Sequence, residues 1–276
     1  LVKLVIHASD RRNLLAEVGG FIPALPGLRL WVGSRMYRGD DIYLLDYWPL
    51  DNLNTLGGGL MFNHKVFDAR VHVGVNRLED SYNYQTVKVA GSPIGSEQMV
   101  MLDRQRVVGS ARIGTTFTDL VGDFGFKLLL YGEAHHLPGG LRIPDNLISD
   151  SGDAAYIPSE IAEQVPEESG FVIGGQVGLF GFGKSSHLNL FVRYATGLAA
   201  YGEHAVPYGI DNDGGSSGAQ ELVGGLSANW ESRWVGLMLG GYLRRFKDAD
   251  RQRYDLDDFG EGAIVARPVV FLTDHF

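Results

Sequence analysis

The segment from Val66 to Asn76 alternates without a break. Phe67, Ala69, Val71, Val73 and Val75 fall on one parity, and Asp68, Arg70, His72 and Asn76 on the other. Side chains that change face at every residue belong to a β-strand, so this stretch is a ribbon with one greasy and one polar face. The pattern recurs down the chain. Phe126, Leu128, Leu130 and Ala134 oppose Lys127, Tyr131 and Glu133. Phe171, Ile173, Val177 and Leu179 oppose Gln176 and several glycines, and Leu188, Leu190, Val192 and Tyr194 oppose His187, Asn189 and Arg193. Val235, Leu237, Leu239 and Leu243 oppose Trp234, Tyr242 and Arg244. Such ribbons run to roughly nine to thirteen residues, against about five or six in globular sheets, and about ten residues are what a strand needs to cross a bilayer. Alternation alone allows a soluble sandwich; the length favours a membrane barrel with its greasy face toward lipid.

The connections fit that choice. Val2–His7 and Leu14–Phe21 read as a hairpin, Pro23 and Pro26 punctuate, Asn52–Gly59 is turn-rich and Leu60–Asn63 opens a further strand. Long polar segments at Leu78–Gln98, His135–Ser169 and Gly197–Gly218 alternate with short turns, as in barrels with one smooth and one elaborate rim. Ile157–Val165 reads as one or two helical turns inside a loop, and no helix of core length is expected. The 38 glycines suit tight turns and close sheet contacts, and 12 Tyr, 14 Phe and 4 Trp suit aromatic girdles. No Cys is present, which excludes a disulfide scaffold and thiolate metal sites and suits export. A formal charge of -9 without a basic run argues against nucleic acid. No apolar run reaches the length of a membrane helix and no signal peptide is visible, so the expectation is a mature chain or a piece of a longer one.

Leu28–Trp48 is the stretch with chemistry. Leu28, Leu30, Val32 and Met36 alternate with Arg29, Trp31, Arg35 and Tyr37; then Asp40, Asp41 and Asp46 crowd beside Tyr43, Tyr47 and Trp48. Rings stack on the apolar face of a pyranose while charged groups bond its hydroxyls, so the set fits a sugar site; it equally fits a polar turn between strands.

This stretch resembles the hallmark segment of the maltoporin family, in which a strand of the type W-A-G-[KR]-R-[YF]-Y leads into [RH]-D-V-H-x-x-D-[YF]-Y-[YW]. The corresponding residues are Trp31 to Tyr37 and Asp41 to Trp48. The resemblance implies an all-β transmembrane antiparallel barrel of the outer-membrane porin type, sugar transport, a homotrimer and the outer membrane of a Gram-negative bacterium. It implies that residues 37–55 fold inward as a constriction loop, with Asp41, Asp46, Trp48, Arg38 and Tyr43 toward the solute. Gly39 departs from the pattern: the family carries Arg there, and Arg38 stands one place off. Leu190–Thr196 resembles the family's F-V-[VL]-Q-Y-A-T strand, with Phe180 and Phe182 near the place of a stacking Phe that aligns with His187. Trp234–Tyr242 and Ala263–Pro268 resemble two later strands. About twelve strands are expected here against the family's eighteen, so residues 1–276 are expected to form a single barrel domain that is a portion of a longer barrel. The lumen is expected to be lined by Arg35, Arg70, His72, Glu133, His187 and Arg193, with Arg29, Lys127 and Arg244 on the same polar faces.

Other chemistry is weaker. Gly214–Gly218 satisfies G-x-S-x-G but lies in a loop rather than at a strand-to-helix turn. Asp211–Asp213 lacks the Ca²⁺-loop spacing, and His135 and His136 read as solvated rather than metal-ligating. No cofactor or metal is expected. Three functions follow: a sugar-selective channel for oligosaccharide or other small solutes, a non-selective or structural barrel in an envelope assembly, and a soluble glycan-active enzyme using Asp41 and Asp46. The last requires apolar faces turned inward.

Overall fold

The computed structural model describes residues 3–8, 14–35, 40–50, 55–76, 84–87, 98–101, 105–142, 163–165, 167–183, 185–201, 219–247 and 259–271. Sixteen strands are β1 (Lys3–Ala8), β2 (Leu14–Gly19), β3 (Leu28–Arg35), β4 (Thr55–Asn63), β5 (Phe67–Asn76), β6 (Tyr84–Val87), β7 (Gln98–Met101), β8 (Val107–Val121), β9 (Phe124–Leu137), β10 (Gly140–Arg142), β11 (Glu163–Val165), β12 (Glu168–Phe180), β13 (His187–Gly197), β14 (Gln220–Glu231), β15 (Val235–Lys247) and β16 (Phe259–Val270). Twelve of them form one sheet in the order β1-β2-β3-β4-β5-β8-β9-β12-β13-β14-β15-β16, every described pair antiparallel. The pairs β6/β7 and β10/β11 are separate two-stranded ribbons. Among the described residues the large sheet ends at β1 and β16.

A meander of sequential neighbours puts alternate connections at opposite ends. At one end of the sheet β2 leads into β3, β4 into β5, β8 into β9, β12 into β13 and β14 into β15; at the other end lie the ends of β1, β3, β5, β9, β13 and β15 from which the remaining connections start. Most of each long polar segment, Leu78–Gln98, His135–Ser169 and Gly197–Gly218, lies outside the described residues.

The faces answer the central question. Val32 (64 % exposed), Val71, Val73, Ile173, Val192, Leu243 (72 %) and Ile264 (91 %) stand open on one side of the sheet. On the other side Glu17, His72, Ser110, Glu133, Gln176 and Glu221 are buried. A water-soluble sandwich would cover the first set and expose the second; here the covered face is the charged one. A small apolar cluster also sits on the inner side, where Leu50 and the 3₁₀ turn Leu198–Tyr201 lie against Leu129, Tyr131, Val172, Ala195 and Phe246. Two connections therefore fold back onto the wall and are seated there by apolar contacts, while the outer face stays greasy.

Several expectations need correction. Thr55–Gly59 is strand rather than turn, because Gly59 pairs with both Trp31 and His72 and, lacking a side chain, lets their rings approach to 5.8 Å. Strands β8 and β14 were not marked by any clean alternation; Gly, Ser and Thr dilute their apolar parity. Glu163–Val165 is extended and paired with Gly140–Arg142 rather than helical, and a ribbon β6/β7 stands within and just beyond the segment expected to be loop. Gly214–Gly218 and Asp211–Asp213 lie outside the described residues.

Candidate functional site: an inward loop latched to a charged wall

The connection after β3 turns inward, and its sequence explains how it stays there. The Ile42 N–H donates to the Tyr47 carbonyl at 2.7 Å, and the Leu45 N–H to the Ile42 carbonyl at 2.8 Å, closing Tyr43–Leu45 into a 3₁₀ turn. Asp46 ends it in the left-handed region at φ 48, a conformation that Asp tolerates better than most residues.

Ile42 is 0 % exposed and Leu50 1 %. Both rest on glycines of the wall. A Cβ at Gly240 would lie 2.8 Å from Ile42 Cγ2, one at Gly225 would lie 3.0 Å from Ile42 Cδ1, and one at Gly174 would lie 2.6 Å from Leu50 Cδ2. These three glycines face inward on β15, β14 and β12, so part of the glycine richness makes the seat for this loop. Burying two branched side chains against backbone is worth about 1.5–3 kcal/mol each.

Polar groups hold the ends. Lys127 Nζ donates to both Asp40 carboxylate oxygens, at 2.7 and 2.8 Å, and Gln176 Nε2 donates to the same carboxylate. At the far end the Tyr47 ring packs on Tyr242, with centroids 4.6 Å apart. Burial, reinforced by the negative charge of Glu221, pushes the Tyr47 phenol up to about 12. This group is on the loop, not on a spanning strand. Its folded-state value exceeds its ordinary value of 10, so the neutral form is favoured and docking is unaffected below that value; above it, released loop ionises first and docking weakens. Constant single-channel conductance from pH 6 to 9, rising only above about 10, is the expected result. A step between pH 6 and 9 removed by Tyr47→Phe would contradict it.

Beyond the loop, the wall is a set of ion pairs. Glu221, with a side chain 4 % exposed, takes the guanidinium of Arg193 on one side and Arg244 Nε at 2.5 Å on the other; Arg244 also reaches Glu261 at 3.2 Å. Asp68 sits between Arg70 at 3.6 Å and Arg112 at 3.4 Å, and Glu17 bonds Arg29 at 2.6 Å. His72 shares one nitrogen with Thr55 Oγ1 at 3.0 Å and the other with Ser110. Glu133 bonds His135 at 2.6 Å. His135 is therefore buried in the inner face rather than solvated, and only His136 is exposed.

Of the candidates from sequence, Asp41 and Tyr43 come together. They line a cavity of about 520 Å³ with Asp40, Lys127, Phe180, His187 and Asn189. Phe180 and His187 pair directly across β12 and β13, so the displaced aromatic next to His187 is Phe180; Phe182 lies exposed on the turn. Asp46 is exposed at the end of the 3₁₀ turn and Trp48 is half-buried, and neither lines this cavity. Arg70, His72, Glu133 and Arg193 all lie on the inner face of the sheet. Arg38 and the Arg35 side chain lie outside the described residues. Sequence reasoning noted Asp40 and Gln176 without giving either a role and passed over Glu221; their partners are 87, 136 and up to 28 residues away. The doubled carboxylate of Asp40 and Asp41 was the available signal.

An antiparallel meander of membrane-length strands, greasy outside and charged inside, with one loop folded onto its inner wall, defines a porin-type channel wall and not an enzyme cleft. The family comparison agrees: the LamB porin model matches residues 8–276, and the chain belongs to the LamB porin family, β-barrel channels of the outer membrane. No individually curated protein matches the chain significantly.

Proposed function

We propose that this chain forms the wall and constriction of a passive outer-membrane channel for oligosaccharides of the maltodextrin type, working as a homotrimer. The observation that carries the reading is the 520 Å³ space beside the inward loop, where Asp41 and Tyr43 face Phe180, His187 and Asn189. Rings supply a surface for the apolar face of a sugar, and the carboxylate, imidazole and amide supply hydrogen bonds that are individually weak enough to be left again. We also take β1 and β16 to be paired with further strands in a closed barrel, since unpaired strand edges in lipid leave backbone groups unsatisfied.

The test is sugar block of the ion current in planar bilayers, with a maltooligosaccharide series as the probe. Asp41→Ala and Tyr43→Ala are each expected to weaken the block by about tenfold, the worth of one charged hydrogen bond or one ring contact. Asp46→Ala and Trp48→Ala are expected to act in the same direction and less. Unchanged block in all four would overturn the assignment.

Gly39 favours a second reading, a non-selective pore, because the family's Arg is missing beside the constriction. An unsubstituted channel that conducts ions with no block at any sugar length would establish it.

A further inference from the structure

The outward faces of β13 to β16 carry a concavity of about 1060 Å³ near the C-terminal end of β15. Its sides are Val192, Leu222, Leu243 and Ile264, all exposed, and its floor passes over Gly224, where a Cβ would meet nothing within 4 Å. Glycines of β16, Gly260 and Gly262, continue the depression. An apolar trough in a surface that faces hydrocarbon is filled by hydrocarbon, so acyl chain is its natural content.

The charges beside it select the head group. Arg245 and Lys247 follow Leu243 on the same face of β15, each step two residues on, and so climb from the trough toward the rim. Their cross-strand neighbours are Leu222, Gly260 and Gln220, none of them acidic. Among the described residues they are the only charged side chains on the outward faces of these four strands; of the acids of the same strands, Glu221 and Glu261 point inward to Arg193 and Arg244, and Glu231 accepts from the inward Asn229 at the opposite end of β14. Two adjacent cations on a chain of net charge -9 are a local reversal of sign, and they stand where head groups meet the acyl region.

We propose that this trough is a seat for a lipid with a net anionic, phosphate-bearing head group, its acyl chain over Gly224 and its phosphate between Arg245 and Lys247. The planar guanidinium gives the phosphate two parallel hydrogen bonds and the ammonium adds a point charge. The seat concerns the outer surface and is independent of which solute the lumen carries.

Native mass spectrometry of the intact channel in detergent tests it, with phosphatidylglycerol, phosphatidylcholine and inorganic phosphate as probes. Phosphatidylglycerol adducts should survive collisional activation better than phosphatidylcholine adducts, and millimolar inorganic phosphate should not displace them. The double variant Arg245→Gln, Lys247→Gln should weaken phosphatidylglycerol binding about tenfold or more and phosphatidylcholine binding by less, removing the preference between them. Gly224→Leu, which fills the trough and keeps both cations, should weaken both lipids. Refolding yield and sugar block report whether each variant is intact, and neither should change. Equal binding of the two lipids, or binding unaffected by either variant, overturns the proposal. Loss of the oligomer in Gly224→Leu overturns it in favour of a protein interface.

Discussion

Replacing Ile42 and Leu50 together by alanine is expected to raise the single-channel conductance about twofold or more and to abolish sugar block. The two side chains are the apolar anchors of the inward loop, fully buried on Gly225, Gly240 and Gly174. Truncating a buried Ile or Leu costs about 2–5 kcal/mol, so even the lower sum, about 4 kcal/mol, shifts the docked-to-released ratio by roughly a thousandfold. The polar latch of Asp40 on Lys127 and Gln176 remains but is half-exposed, and an ion pair of that kind is worth about 1 kcal/mol or less. Gly240→Val approaches the same state from the wall, because its new methyls claim the place of Ile42 Cγ2. Conductance unchanged in both variants, in channels that insert normally, would mean that the loop does not set the aperture.

Glu221→Gln is the second large effect. One carboxylate balances two guanidiniums, Arg193 and Arg244, while Glu261 reaches only the latter. Removing its charge leaves an uncompensated cation on the inner wall beside Tyr47, where low water content makes charge count for more than in bulk. The reversal potential in a KCl gradient should move toward Cl⁻ preference, by about threefold in permeability ratio. Removing one member of a buried ion pair also costs about 3–5 kcal/mol, so heat resistance should fall in parallel. Glu221→Asp keeps the charge and separates the two consequences: selectivity should hold while stability drops. A Glu221→Gln channel with unaltered selectivity would show that this ladder is remote from the ion path.

How much of this was legible in the chain depends on the range of the interaction. The phases of β5, β9, β12, β13 and β15 follow from neighbours two apart, and of the residues assigned to a face there only Trp234 falls outside its strand, in the turn before β15. Where Gly, Ser and Thr replace branched residues, as in β8 and β14, local contrast fades and pairing with flanking strands defines the element instead. The hallmark segment drew attention to the connection after β3 and to Asp41, which lines the cavity there. The anchoring of that connection was not legible, because Ile42 meets Gly225 and Gly240 only after the intervening strands have paired. His135 was read as solvated because Glu133 is its same-face neighbour and nothing local says that the face is covered.

Because the chain contains no cysteine, single cysteines placed from Arg70 to Val75 can carry a nitroxide label without background. Accessibility to oxygen, which concentrates in lipid, and to a water-soluble nickel chelate should alternate along this strand in reconstituted channels. Oxygen maxima at Val71 and Val73, with the chelate maximum at the half-buried Arg70, are the result predicted by a wall whose greasy side meets the bilayer. Maxima of the opposite phase, or valine positions shielded from both reagents, would contradict it.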